Sequence, residues 1–95
     1  MTVDELRATL KSASPPAGLS PAILALWHDA RGDWDGAHRV AQDIEGRDGA
    51  WIHAYLHRKE GDLGNAGYWY RRAGRGPASG SLDAEWTAIA EALLT

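Results

Sequence analysis

The feature that most constrains this chain is a Gly-Asp dipeptide that recurs in a matching sequence context after 29 residues. The two contexts read LWHDARGDWDGA at residues 26–37 and YLHRKEGDLGNA at residues 55–66. Glycine readily adopts the left-handed conformation that ends a helix, and an aspartate that follows it can cap the next helix. Gly32-Asp33 and Gly61-Asp62 therefore each predict two helices joined by a short turn, as in an antiparallel helical hairpin.

Apolar residues at helical spacing predict six helices and no β-strand, so the expected fold class is all-α, in one domain spanning residues 1–95. The predicted helices begin after the capping residues Thr2, Ser20, Asp33, Asp48, Asp62 and Ser81. The expected architecture is two tandem hairpins with an extra N-terminal helix and a C-terminal capping helix. The fourth helix is apolar on more than one side, which predicts that it lies at the centre of the molecule.

Two further expectations concern individual helices. The third helix is predicted to bury an apolar stripe formed by Trp34, Ala37, Val40, Ala41 and Ile44. Gly64 and Gly67 interrupt the fifth helix, where each glycine costs about 1 kcal/mol relative to alanine. We expect these glycines to allow a close approach to the fourth helix. The five tryptophans, in a chain without phenylalanine, are expected at the contacts between helices.

Composition excludes several classes of protein. The chain has no cysteine, so it can form neither a disulfide framework nor a thiolate metal site. Its net charge of −3 gives no general attraction to nucleic acid or to anionic lipid. The first residues carry acids and no apolar core, which is unlike a signal peptide. No apolar run approaches the length of about 20 residues that spans a bilayer, and a cytoplasmic location is expected.

The second copy of the repeat, HAYLHRKEGDLGNAGYWYRRAG, resembles a tetratricopeptide repeat (TPR). The Gly-Asp turn, Ala66, Tyr70 and Ala73 match that family's pattern, and in the first copy Ala37 matches. The offset of 29 residues is shorter than the family's repeat of about 34. The resemblance covers about residues 19–75 and implies TPR-like hairpins. It also implies that a peptide or partner protein binds along a concave face, where the matching positions are Asp29, Trp51, Tyr55, Arg58 and Lys59.

Half of the cationic side chains lie close to aromatic residues in the second repeat. They are Arg58, Lys59, Arg71, Arg72 and Arg75, and the sequence YWY occupies residues 68–70. Such a combination is typical of an anion-binding edge for an acidic peptide, a carboxylate tail or RNA. The favoured interpretation is a solvated basic face that complements helix dipoles. On the anion-binding interpretation, Arg71 and Arg72 join the predicted partner-binding residues.

His53 and His57 are four residues apart on one predicted helix, a spacing that Zn²⁺ sites use. His28 and Asp29 from the first hairpin are candidates to approach them. A structural role competes with this interpretation, because His28 and His57 each lie one turn before a helix-ending glycine, where an imidazole suits the helix dipole. The structural role is favoured, so no metal ligand, cofactor or catalytic residue is assigned.

Taken together, these patterns predict a protein–protein interaction module or subunit, and not an enzyme. The expected ligand is a partner protein or an acidic peptide, bound through aromatic and basic side chains. A homodimer formed through an exposed apolar stripe is a further hypothesis. Nucleic acid and membrane partners are not favoured. The alternative hypothesis is a small histidine-based metal-binding protein or metal-dependent enzyme centred on His28, His53 and His57.

Overall fold

The computed structural model describes residues 1–94, which form six α-helices and one short 3₁₀ helix and contain no β-strand. The elements in order are α1 (Val3–Ala8), the 3₁₀ helix (Thr9–Lys11), α2 (Pro21–Ala30), α3 (Trp34–Ala41), α4 (Gly46–Glu60), α5 (Leu63–Arg72) and α6 (Leu82–Leu93). The predicted all-α fold class is therefore confirmed for these residues. Within the same range, no helix has both the length and the apolar character needed to span a bilayer.

Side-chain caps explain where most of the helices begin. Thr2 and Glu5 form a reciprocal capping box at the start of α1, which satisfies two backbone N–H groups that would otherwise lack partners. Ser20 accepts a hydrogen bond from the backbone N–H of Ile23, and Pro21 occupies the first position of α2. The caps of α3, α5 and α6 are Asp33, Asp62 and Ser81, as predicted.

The two Gly-Asp turns have the same local geometry. Gly32 and Gly61 adopt φ angles of 82° and 91°, in the left-handed region. In each turn the aspartate N–H donates to the carbonyl oxygen of the histidine five residues earlier, at 2.9 Å. These bonds satisfy carbonyl groups at the ends of α2 and α4. The prediction that each dipeptide ends one helix and begins the next is therefore confirmed.

The connection between α3 and α4 differs from the prediction. α3 ends at Ala41, so Ile44 lies beyond the helix, half-buried in the connection. α4 begins at Gly46 and has Glu45 at its N-cap position, without a side-chain cap. Asp48, which was predicted to cap this helix, lies instead in its first turn.

The expected role of Gly64 and Gly67 is also wrong. A Cβ atom added at Gly64 would meet no atom within 4 Å, and one at Gly67 would meet only the Arg71 guanidinium, at 3.7 Å. The close approach occurs at Gly49, where an added Cβ would lie 2.2 Å from the carbonyl oxygen of Ile44. Glycine at this position lets the α3–α4 connection pass directly over the first turn of α4.

α4 lies at the centre of the structure, as predicted. It contacts α2, α3, α5 and α6, and every residue from position 49 to position 57 is buried. α2 packs on α3 and on α6, while α1 packs on α6. A helix with so many neighbours must be apolar around most of its circumference.

The tryptophans lie at these contacts between helices. Trp27, Trp51 and Trp86 are buried, and Trp34 and Trp69 are half-buried. Several indole N–H groups donate hydrogen bonds across the packing: Trp27 to the Thr9 hydroxyl, Trp34 to the Leu56 carbonyl and Trp86 to the Leu26 carbonyl, at 3.1, 2.8 and 3.0 Å. Each of these rings therefore contributes buried apolar area while its polar atom stays satisfied.

Candidate functional site

The seven residues predicted to bind a partner fall into an inner and an outer group. The inner group lies on α2 and α4 and makes intramolecular contacts; it comprises Asp29, Trp51, Tyr55, Arg58 and Lys59. The outer group, Arg71 and Arg72, lies exposed at the C-terminal end of α5. The structure therefore places the seven residues in two different surroundings.

Asp29 joins α2 to α4. Its carboxylate is 2% exposed and accepts hydrogen bonds from the Tyr55 hydroxyl at 2.8 Å and from Lys59 Nζ at 2.9 Å. Burial raises the pKa of the Tyr55 hydroxyl far above its ordinary value, and the nearby Asp29 charge raises it further. The three side chains border a cavity of about 340 Å³ that is closed on another side by Trp86 of α6.

Arg58 is held by α6. Its Nη1 atom lies 2.9 Å from Oε1 of Glu85, whose side chain is 4% exposed, and its Nη2 atom donates to the Gly80 carbonyl. The Tyr70 hydroxyl donates to the same carboxylate, with distances of 2.9 and 2.7 Å to its two oxygens. Burial, followed by this hydrogen bond, raises the pKa of Tyr70. α6 therefore covers the part of α4 where the TPR resemblance places a ligand.

Trp51 is buried, and Arg75 lies over its ring. The guanidinium carbon of Arg75 lies 3.4 Å from the centroid of the Trp51 ring, a separation at which a cation is attracted to the ring face. Both side chains border a cavity of about 510 Å³ between the 74–80 segment and α6. An aromatic ring, a cation and a cavity of this size can together accommodate a side chain of a ligand.

Arg72 lies over two further aromatic rings. Its guanidinium carbon is 5.7 Å from the centroid of Tyr68 and 5.4 Å from that of Trp69, and its Nη1 atom donates to the Tyr68 hydroxyl at 2.9 Å. Tyr68 is 43% exposed. We call Arg71, Arg72, Arg75, Tyr68 and Trp69 the basic edge. Its cations and rings are suited to contacts with carboxylates and with apolar groups.

The histidines do not assemble as the sequence suggested. His28 lies against Trp27, at a ring-centroid distance of 5.4 Å, and its Nδ1 atom is 3.7 Å from an Asp33 carboxylate oxygen. The predicted grouping of His28 and Asp29 with His53 and His57 is therefore wrong. His38 of α3 takes their place, because α3 packs directly on α4. The sequence signal that could have drawn attention to His38 is its position four residues after Trp34 on the same predicted helix.

His38, His53 and His57 form a cluster of imidazoles, which we call the histidine cluster. The ring centroids are 4.9 Å apart for His38 and His53, 5.4 Å for His38 and His57, and 5.9 Å for His53 and His57. Trp34 stacks on His38 at 4.9 Å, and Trp69 stacks on His53 at 4.1 Å. Two indoles therefore stack on rings of the cluster.

The surroundings keep two of these imidazoles neutral. Burial, followed by repulsion from His38 and His57, lowers the pKa of His53 from 6.5 to about 4. Burial and the neighbouring His57 also lower the pKa of His38. A neutral imidazole has a lone pair available for a proton, a hydrogen bond or a metal ion.

The chain matches no protein-family model, and it gives no match to a curated protein or to a solved structure. The TPR resemblance therefore stays an interpretation of the sequence. The chemistry of the basic edge and of the histidine cluster supplies the support for a function.

Proposed function

We propose that this chain is a protein–protein interaction module in which α2 to α5 form two TPR-like hairpins and the basic edge binds an acidic segment of a partner protein. The pairing of α2 with α3 and of α4 with α5, and the identical Gly-Asp turns, support the hairpins. The proposal includes no catalytic step. The absence of cysteine suits a reducing compartment, and we place the module in the cytoplasm.

The observation that carries the proposal is that the cations of the basic edge have no carboxylate partner among the described residues. Arg71, Arg72 and Arg75 form no salt bridge within residues 1–94, whereas Arg58 and Lys59 are both paired. Arg72 and Arg75 are held against aromatic rings, which limits the entropy that each would lose on binding. Carboxylates of a partner can therefore form charge-assisted, bidentate hydrogen bonds with these guanidinium groups.

The contacts of the inner residues suggest a different role for them. Asp29, Tyr55 and Arg58 hold α2, α4 and α6 together through buried hydrogen bonds. Substituting Arg58 would leave the Glu85 carboxylate without its cation, so a change in binding could not be separated from a change in stability. Arg71 and Arg72 are exposed, and they are therefore the residues to substitute in a test of binding.

The test is a selection of random peptides against the immobilised protein, followed by affinity measurements on the enriched peptides by fluorescence anisotropy. We expect the enriched peptides to be rich in aspartate and glutamate. The double variant Arg71→Glu/Arg72→Glu should weaken binding of an enriched peptide by at least about tenfold, because like charges then face each other. Binding should also weaken as the salt concentration rises.

The matched control is Lys11→Glu/Arg39→Glu, which changes the net charge by the same amount. Both of its positions are exposed, and neither cation is part of a salt bridge within residues 1–94. The control should keep the wild-type affinity. Equal weakening in both double variants, or a selection without acidic enrichment, would contradict the proposal.

A further inference from the structure

The histidine cluster has a feature that stacking alone does not explain. His53 and His57 are 5% and 8% exposed, yet of the three rings only His57 has a hydrogen-bond partner within residues 1–94. Polar groups at such depth are usually paired. One nitrogen from each ring lies within 4.8 Å of the others, so one nitrogen of each histidine is close enough to the other two to share one ligand.

Solvent reaches these nitrogens. No fully buried side-chain nitrogen or oxygen within residues 1–94 lacks a hydrogen bond, so the unpaired ring nitrogens of His38 and His53 keep some contact with water. His38 is only half-buried and lies on a different helix from the other two rings. An ion can therefore enter from the His38 side, and the His38 ring can adjust to it.

His57 also has the kind of partner that metal-binding histidines have. Its Nδ1 atom lies 2.6 Å from Oε2 of Glu60, a contact in which the ring donates its proton to the carboxylate. This fixes the tautomer that leaves the lone pair on Nε2, where the Asn65 amide is 3.5 Å away. A carboxylate that orients a histidine in this way is a common second neighbour of metal ions in proteins.

We propose that His38, His53 and His57 bind a Zn²⁺ ion, each through one ring nitrogen, with water as the fourth ligand. Tetrahedral Zn²⁺ with bonds of about 2.0–2.1 Å holds its nitrogen ligands roughly 3.3 Å apart, and the three ring nitrogens lie within 4.8 Å of one another. Three imidazoles with an open fourth position form a known type of zinc site. Neutral nitrogen ligands disfavour Mg²⁺ and Ca²⁺, which prefer oxygen.

The packing around the cluster fits a metal site. Trp34 and Trp69 stack on His38 and His53, which limits the side-chain entropy that these two rings lose on binding. The site lies apart from the cavity beside Trp51 and Arg75, and Trp69, which stacks on His53, is the ring that it shares with the basic edge.

The test measures Zn²⁺ binding to protein that has been freed of metal with a chelator and then dialysed. Competition with a colorimetric zinc indicator should show one Zn²⁺ per chain with a Kd near or below about 1 µM. Saturating Zn²⁺ should raise Tm, while Mg²⁺ should leave Tm unchanged. His38→Gln and His53→Gln should weaken binding by about a hundredfold or more, and Glu60→Gln by about tenfold.

His28→Gln is the matched control, because His28 is the counterpart of His57 in the first repeat and lies outside the cluster. It should keep the wild-type Kd. Far-UV circular dichroism of each metal-free variant reports whether it folds. If His53→Gln is unfolded, the zinc affinity of His38→Gln, at the half-buried position, is the measurement that tests the proposal. The proposal is overturned if the wild type fails to bind Zn²⁺ at micromolar concentration. It is also overturned if folded His38→Gln retains the wild-type affinity, or if His28→Gln loses as much affinity as the cluster variants.

Discussion

His53 is the residue whose environment most changes its chemistry. Its ring is stacked on Trp69 and faces His38 and His57, and no carboxylate contributes to the shift of its pKa to about 4. A charged imidazole there would lose hydration without gaining a counter-ion. The folded protein therefore holds His53 neutral at pH values where an unfolded chain protonates it.

This difference predicts a loss of stability in acid for the metal-free protein. The His53 pKa is about 4 in the folded state against 6.5 for an unperturbed ring, so between these values the unfolded state binds more protons. The contribution of neutral His53 to the free energy of unfolding is then fully present above pH 6.5, and it is lost as the pH decreases toward 4. The free energy of unfolding should drop by about 2 kcal/mol between pH 7.5 and pH 5.

Urea titrations at several pH values, with a chelator present, measure this drop. The variant His53→Gln removes the titrating group and should lose most of this dependence on pH, whatever its stability at pH 7.5. His28→Gln should keep it. A wild-type stability that is flat from pH 7.5 to pH 5 would show that His53 does not titrate as described.

At the scale of the helical elements, the Gly-Asp turns connect sequence to architecture. Each glycine has a positive φ angle, and each aspartate accepts a hydrogen bond from the backbone N–H three residues later. The bonds lie within one turn and require no contact with the rest of the molecule. The ends of α2 and α4 are therefore determined by a few neighbouring residues.

Two glycines of the second repeat provide a matched test of this conclusion. Gly61 has a φ angle of 91°, whereas Gly64 lies inside α5, and an added Cβ meets nothing within 4 Å at either position. Gly61→Ala should lower the free energy of unfolding by about 1 kcal/mol, because alanine is strained in the left-handed region. Gly64→Ala should raise it by roughly 0.5–1 kcal/mol through improved helix propensity.

Denaturant unfolding followed by circular dichroism measures both changes. An added Cβ has open space at both sites, so a steric clash cannot explain why the two substitutions change the free energy of unfolding in opposite directions. Equal stability of Gly61→Ala and the wild type would mean that Gly61 does not need its left-handed conformation. Destabilisation by Gly64→Ala would place that residue outside a regular helix.

At the scale of the whole molecule, buried ion pairs join helices that are distant in the sequence. Asp29 and Glu85 are 2% and 6% exposed, and each accepts hydrogen bonds from one tyrosine and one cation. The donors are Tyr55 and Lys59 at Asp29, and Tyr70 and Arg58 at Glu85. Each carboxylate is costly to bury alone, so it favours the one arrangement that supplies both of its donors.

Glu85→Gln tests how strongly α6 is held on α4 and α5. The substitution leaves the Arg58 guanidinium, whose side chain is 15% exposed, without a counter-ion. The free energy of unfolding should fall by roughly 2–3 kcal/mol. Asp83→Asn removes the same charge from the same first turn of α6, but the Asp83 side chain is 78% exposed and lies 3.2 Å from its partner Arg7, so its cost should stay below about 1 kcal/mol.

Thermal and urea unfolding of the two variants provide the comparison. Each substitution removes one negative charge that interacts favourably with the dipole of α6. The difference between their changes in the free energy of unfolding therefore reports the contribution of the buried Glu85 network. Similar costs for the two substitutions would show that the Glu85 network adds little to the docking of α6.

The sequence alone determined the features that depend on neighbouring residues: the all-α class, the caps at Thr2, Ser20 and Ser81, and the two Gly-Asp turns. Each of these depends on hydrogen bonds between residues at most five positions apart. Their stereochemistry is the same in any fold. The capping rule failed at the start of α4, where Glu45 occupies the N-cap position without a side-chain cap and Asp48 lies in the first turn.

Only the tertiary structure decided which distant side chains meet. His38 joins His53 and His57, and Glu85 joins Arg58 at a separation of 27 residues, because α3 and α6 both pack on α4 with particular faces. The rotation and crossing of packed helices depend on how all their side chains interlock. The spacing of residues along the chain does not reveal how side chains of packed helices interlock. For this reason the sequence predicted His28 beside His53 and His57, whereas the structure places His38 there.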